Sequence, residues 1–307
     1  MPYQGIPIID FHAHLPAVWG GGQGQASQAF QANQGVREEL RNRWRRRHGF
    51  PDPENPPAPP EIQIERWSAE VDRHGLEKVI FVTGGGNETL AGVLRGREDR
   101  FHGMAHHDPS RPEALAELKR AVEEFGFVGY KMLGPRVSIP LDDQRLEPIW
   151  GFLEEKGLYV LIHMGFIGRA SGLHNMSNLN PLVLHNVAAA HPGLPIVIPH
   201  FGCGFWEDLL RLCWACPNVH LDTSGSNEWM DWSAVPLSLR DLFRKAYETV
   251  GPDRIIFGTD SSWFPRGFSF SYLQEQFGAC VSVGMKDEDL AAVFAGNARR
   301  MLKAPPA

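Results

Sequence analysis

The run Asp10-Phe11-His12-Ala13-His14 ends the first short apolar stretch of the chain, Pro7-Ile8-Ile9. Side chains alternate along a strand, so residues two apart point the same way. His12 and His14 therefore share one face at the C-terminal end of this strand. Two histidines facing inward at that position have no packing role, which directs attention to where the other strands of the chain end.

Similar apolar, β-branched runs recur at residues 7–11, 78–83, 101–105, 128–132, 159–163, 196–200, 219–222 and 254–258. They are near-continuous rather than alternating, as expected for parallel strands covered by helices. Segments with apolar residues at three- and four-residue spacing lie between them, at 62–74, 112–125, 146–156, 181–191, 205–215 and 237–250. Strand and helix in eightfold alternation predict an α/β fold, a (β/α)8 TIM barrel. The rival is a doubly wound open sheet. Its fingerprint is missing, because Gly84-Gly85-Gly86-Asn87-Glu88-Thr89 follows a strand but lacks the third glycine, and it reads as a turn.

The strand ends carry the chemistry. Leu161-Ile162-His163 closes the fifth run, Ile198-Pro199-His200 the sixth, and Phe257-Gly258-Thr259-Asp260 follows the eighth. In a barrel these ends converge on one opening, where catalytic residues collect. Four imidazoles and a carboxylate are hard to bury together unless a cation orders them. The fourth run adds Lys131 within Gly129-Tyr130-Lys131-Met132. Burial lowers a lysine's pKa and leaves a neutral amine. Such an amine can take up carbon dioxide to give a carbamate that bridges two metals. Alternatively, the lysine reaches the mouth and pairs with a substrate carboxylate.

Bulk properties set the frame. The chain has 307 residues, 43% hydrophobic and 21% charged, with 32 glycines and 24 prolines. This suits a single domain over 1–307 that buries roughly 75% of its unfolded surface. A net charge of −6 gives no reason to expect nucleic acid or an anionic membrane as partner. Cys203, Cys213, Cys216 and Cys280 are too few for a secreted disulfide framework. Cys213-Trp214-Ala215-Cys216 has redox or zinc spacing but no second pair, so it reads as structural. Met1-Pro2-Tyr3-Gln4 does not begin a signal peptide, and no run approaches the ~18 apolar residues of a membrane helix. The expectation is a cytoplasmic protein acting on a small molecule, with a homodimer left open.

Residues 16–60 break the rhythm. This insertion has a Gly/Gln-rich part, a basic stretch and a proline-rich end. Insertions after a barrel strand sit on the catalytic face, so it is a candidate lid. Its run Arg41-Asn42-Arg43-Trp44-Arg45-Arg46-Arg47-His48 reads as a solvated helix face rather than an anion grip, since the whole chain is acidic. His107, Arg136, Arg169, His174 and Trp263 fall near the mouth, and His107, Arg169, His174 and Trp263 are the candidates for contacting substrate. Trp19, Phe166, Phe201, Trp229, Trp263 and Phe264 hint at a hydrophobic one. Neither a Gly-x-Ser-x-Gly elbow nor a P-loop is present, which argues against serine hydrolases and P-loop enzymes.

The order H-x-H, lysine, histidine, histidine, aspartate resembles the amidohydrolase superfamily. The runs Ile8-Ile9-Asp10-Phe11-His12-Ala13-His14, Asn218-Val219-His220-Leu221-Asp222-Thr223-Ser224-Gly225, Ile255-Ile256-Phe257-Gly258-Thr259-Asp260 and Gly296-Asn297-Ala298-Arg299-Arg300-Met301-Leu302 resemble its amidohydrolase-related branch. That branch includes aminocarboxymuconate-semialdehyde decarboxylase and related hydrolases. The resemblance spans about residues 6–303.

It implies His12, His14 and Asp260 on one metal, with His163 and His200 on a second, bridged by carboxylated Lys131. It equally allows one metal on His12, His14, His163 and Asp260 with His200 as base. The lysine tips the expectation toward a binuclear centre of zinc, iron or manganese. The leading expectation is hydrolysis of an amide, ester, lactone or thioester through an activated water, with Asp260 and His200 catalytic. The alternative is non-oxidative decarboxylation of an unsaturated or aromatic carboxylic acid.

Overall fold

The computed structural model describes residues 2–15, 34–167 and 175–303. Its strands are β1 (Ile9–His14), β2 (Lys78–Thr83), β3 (Phe101–Gly103), β4 (Ala105–His106), β5 (Gly129–Leu133), β6 (Tyr159–His163), β7 (Ile196–Ile198), β8 (Val219–Asp222) and β9 (Ile255–Ile256). All paired strands are parallel, in the orders β1-β2-β3 and β4 to β9. The third expected run is one barrel position split in two at Met104, whose amide donates to the Phe81 carbonyl at 3.0 Å.

Closure comes from the opposite seam. The amides of Phe11, His14 and Asp260 donate to the carbonyls of Phe257 (3.2 Å), Ser261 (2.7 Å) and His12 (2.8 Å). Sheet edges are thereby paired, and the protein is a TIM barrel.

Helix α1 (Gln34–His48) lies in the insertion after β1, and the outside is covered by α2 (Pro60–His74), α3 (Asn87–Leu94), α4 (Ala114–Glu123), α5 (Glu147–Glu155), α6 (His185–Ala190), α7 (Trp206–Ala215), α8 (Leu239–Val250), α9 (Phe270–Ser282), α10 (Asp287–Ala291) and α11 (Asn297–Lys303). The glycine-rich turn after β2 leads into α3, a helix that its Gly84-Gly85-Gly86 start hides from periodicity. Residues 181–191 divide into a 3-10 turn, Pro181–Leu184, and α6. The capping box of Ser238 and Asp241 starts α8 two residues later than periodicity suggests.

Two apolar clusters define inside and outside. Ile9, Phe11, Ile80, Val82, Tyr159, Leu161, Val197 and Ile256 fill the barrel interior, and Phe11 and Tyr159 meet with ring centroids 4.9 Å apart. Burying each such aliphatic or phenyl side chain contributes about 1.5–3 kcal/mol. Val79, Phe81, Tyr130, Met132, Ile196, Ile198 and Leu221 belong to the outer layer under the helices. Because Tyr130 and Met132 face out, Lys131 between them faces in. The same parity puts His163 inside, two residues beyond Leu161. In β1 the pairing with β2 is irregular between Asp10 and Ala13. That irregularity lets Phe11 fill the interior while the adjacent His12 still turns toward the mouth.

Candidate metal centre

Nε2 of His14 lies 3.0 Å from Oδ1 of Asp260, and Nε2 of His12 lies 3.7 Å from the same oxygen. Among the described residues, His12, His14 and Asp260 form a group whose ligand atoms all lie within 4.8 Å of one another. The His200 ring centroid stands 5.2 Å from that of His12 and 5.0 Å from that of His163. Lys131, 1% exposed, completes the floor.

Three of the rings, those of His12, His14 and His200, are aimed by a partner on the far nitrogen. Asp222 at the end of β8 holds Nδ1 of His12 at 2.6 Å, and Thr83 at the end of β2 holds Nδ1 of His14 at 2.6 Å. His200 places Nδ1 3.0 Å from the Ser224 carbonyl, so it donates there and leaves Nε2 as the acceptor. Asp10 takes no direct part. It accepts from the amides of His12 (3.2 Å) and Thr259 (3.0 Å) and from the Thr259 hydroxyl (2.5 Å), tying β1 to the turn that carries Asp260.

Burial pushes His12 down to about 4 and His163 well below its ordinary value, with Lys131 and His200 adding to the effect on His163. Both are therefore neutral imidazoles, the form that binds metals. Burial also lowers Lys131 to about 8, partly offset by Asp222 and Asp260. For Asp260, burial opposes ionisation, but His14, His200 and His12 outweigh it and hold the carboxyl far below the usual range. Nε2 of His12 and Nε2 of His163 are buried without any hydrogen-bond partner. Buried nitrogens are rarely left so, and a cation held by His12, His14 and Asp260 would give the His12 nitrogen a partner. The donor set fits a divalent metal ion.

Backbone strain marks the same place. His200 (φ 57°), Phe201 (φ 48°) and Asp260 (φ 57°) occupy the left-handed region, at about 1–3 kcal/mol each. The expected strand 196–200 accordingly ends at Ile198, and His200 opens a tight turn instead. Gly225 (φ 82°) lies against this turn: a Cβ there would sit 3.1 Å from Nδ1 of His200 and 3.7 Å from Oδ2 of Asp260.

The mouth holds two neighbouring cavities. One of about 380 Å³ is lined by His14, Glu54, Thr83, Asp260 and Trp263. The other, about 460 Å³, is lined by Thr83, Gly85, His106, His107, Arg111 and Arg136. Of the expected substrate contacts, Trp263 lines the first. His107 borders the second but is tied down, with Nε2 at 2.9 Å from the Ala114 carbonyl and its ring 4.8 Å from that of Tyr130. Arg169 and His174 lie outside the described residues, as does Trp19.

Phe201, Trp229 and Phe264 are buried and do not form an apolar substrate wall. Phe201 packs on Trp206 and Phe243, Phe264 on Trp67, and Trp229 donates to the His200 carbonyl at 3.0 Å. Phe166 is 45% exposed. The sequence assigns no role to Thr83 or Arg266, and Asp222 and Ser224 enter it only within the run 218–225. Asp222 had a usable signal, since it is a carboxylate at a strand's C-terminal end with inward parity.

The Amidohydrolase family profile matches residues 9–304, and the chain belongs to that family of enzymes. It is 28% identical over 163 residues to γ-resorcylate decarboxylase of Rhodococcus jostii, a match covering 44% of this chain and 50% of that protein. The match thus spans about half the length of the curated relative. An uncharacterized TIM-barrel protein of Bordetella bronchiseptica superposes with a TM-score of 0.67 at 23% identity, over 97% of this chain and 98% of its own. The 5-carboxyvanillate decarboxylase of Novosphingobium aromaticivorans, crystallised with manganese and 4-hydroxy-3-methoxy-5-nitrobenzoic acid, gives 0.60 at 19% identity over 98% and 97%. Among the described residues, no helix is long and apolar enough to cross a membrane.

Proposed function

We propose that this enzyme is a non-oxidative decarboxylase of a small aromatic or unsaturated carboxylic acid, using one divalent metal. The observation that carries the reading is, among the described residues, the compact donor group His12, His14 and Asp260, with the buried, unpartnered Nε2 of His163 near it and His200 turned to leave its own Nε2 available. The relatives named as decarboxylases support the reaction, and the one crystallised with manganese supports a divalent ion.

His12, His14, His163 and Asp260 would hold the cation. When bound, it would supply Lewis-acid polarisation of the substrate's carboxylate and an adjacent oxygen. Trp263 forms an apolar wall for the ring. The bond that breaks joins the ring carbon to the carboxylate carbon. Its electron pair stays on the ring carbon and carbon dioxide leaves. Nε2 of His200, the accepting nitrogen, first takes up a proton from solvent and then delivers it to the ring carbon to form the new C–H bond. The Ser224 carbonyl on Nδ1 keeps the ring oriented through both half-steps.

A second reading, hydrolysis at a binuclear centre, is favoured by Lys131. Its depressed value of about 8 leaves a reactive fraction of neutral amine for carboxylation. The two readings separate when metal-free protein is reloaded with manganese and given ring-hydroxylated benzoates labelled at the carboxyl carbon, alongside aryl lactones and amides. The proposal expects one labelled carbon dioxide per acid consumed and no turnover of the lactones. Lactone or amide hydrolysis without decarboxylation would overturn it.

A further inference from the structure

Asp260 is pinned through both of its backbone polar groups. Its amide donates to the His12 carbonyl at 2.8 Å, and its carbonyl accepts from Nη2 of Arg266 at 2.9 Å. The first bond belongs to barrel closure. The second comes from a side chain, and it acts on a residue in the left-handed region.

Arg266 is itself held by aromatic rings. Its guanidinium carbon lies 3.7 Å from the ring centroid of Trp263 and 5.0 Å from that of Phe50. Phe50 comes from the insertion after β1. It packs against Trp44 (5.4 Å) and Tyr272 (5.5 Å), while Trp44 meets Trp263 at 5.6 Å and donates to the Ser226 hydroxyl at 3.1 Å. The Trp263 indole donates to the Pro51 carbonyl at 3.2 Å, and the Glu54 amide donates to the Phe264 carbonyl at 3.0 Å. The insertion is therefore stitched to the segment that follows Asp260. Nε of Arg266 is buried with no hydrogen-bond partner. Packing alone does not favour an arginine placed at that cost.

We propose that Arg266 is a positioning residue for Asp260, and that Phe50 keeps Arg266 in place, so the insertion controls the aim of a metal-ligating carboxylate. This rests on the reading of Asp260 as a ligand. The guanidinium fixes the carbonyl, the carbonyl fixes the strained turn, and the turn fixes where Oδ1 sits relative to His12 and His14. Removing the Phe50 ring takes away one of the two aromatic rings that hold the guanidinium.

The test is a manganese titration of metal-free protein, read by the electron paramagnetic resonance of free and bound Mn(II). It compares wild type, Phe50→Leu, Phe50→Tyr, Arg266→Lys and the Phe50→Leu/Arg266→Lys double variant. Phe50→Leu and Arg266→Lys should each weaken manganese binding about tenfold. The double variant should be no weaker than Arg266→Lys alone, because Phe50 acts through Arg266. Phe50→Tyr, which keeps the ring, should restore the lost affinity. With an accepted substrate, kcat should fall while KM stays. Wild-type manganese affinity in Phe50→Leu, or losses that add in the double variant, would overturn the proposal. If Arg266→Lys fails to fold, the two Phe50 variants decide alone. The titration needs no substrate, so a failed decarboxylation panel leaves it standing.

Discussion

Oδ2 of Asp222 lies 2.6 Å from Nδ1 of His12, and both side chains are fully buried. The contact fixes which nitrogen of His12 carries the proton and turns Nε2 toward Asp260. Burial alone would raise the Asp222 carboxyl, but His12 outweighs it and holds the group below the ordinary carboxylate range. An ionised partner raises the basicity of a ligating imidazole. Asp222→Asn should therefore weaken metal binding by about 10–100-fold while the barrel persists. Chelator competition measures the affinity and circular dichroism the fold; unchanged affinity would count against the role of Asp222.

His200 is the proposed proton carrier and not a required ligand. His200→Gln should lower kcat by about 10²–10⁴ with metal content unchanged. Steady-state rates and elemental analysis on one preparation separate the two effects. Loss of metal along with activity would return His200 to the ligand set.

Gly225 tests how tightly the site is packed. Gly225→Ala must hold a left-handed backbone and place a methyl group 3.1 Å from Nδ1 of His200. The expected outcome is a destabilisation of about 1 kcal/mol or more and a fall in kcat, read by thermal denaturation and turnover. Wild-type values of both would show that the His200 ring has room to move.

One pH effect lies well away from the metal. His191 has Nδ1 at 2.8 Å from Glu154 and Nε2 at 3.1 Å from Glu147. Burial lowers its pKa, but Glu154 and Glu147 outweigh this and raise it above the ordinary 6.5. A group raised on folding stabilises fully below its unfolded value and loses that contribution as pH climbs through the folded one. His191→Gln should thus destabilise more at pH about 5.5 than at pH about 9. Urea denaturation at both values checks the sign, and a constant difference would contradict it.

The barrel was legible because interior and exterior faces of parallel strands each leave an apolar record. Lys131 and His163 could be placed by parity from their neighbours. His200 could not, because its left-handed turn ends β7 early and no propensity signals it. The split of the third run at Met104 is likewise a backbone event without a composition mark. The insertion was legible in part, since its run 41–48 reads as a solvated face, whereas nothing in the sequence marks Trp44 and Phe50 as contacts. Its arginines pair with surface carboxylates, Arg45 with Asp52 and Arg47 with Asp231, while Trp44 and Phe50 make the contacts near the site. The binuclear expectation leaned on Lys131, whose burial serves either metal count.

Metal counting by elemental analysis of wild type and Lys131→Met, each reloaded with excess manganese and desalted, tests the central claim of a mononuclear centre most directly. One ion per chain in both proteins is the predicted result. Two ions in wild type, falling to one or none in the variant, would contradict it and restore the carbamate-bridged hydrolase.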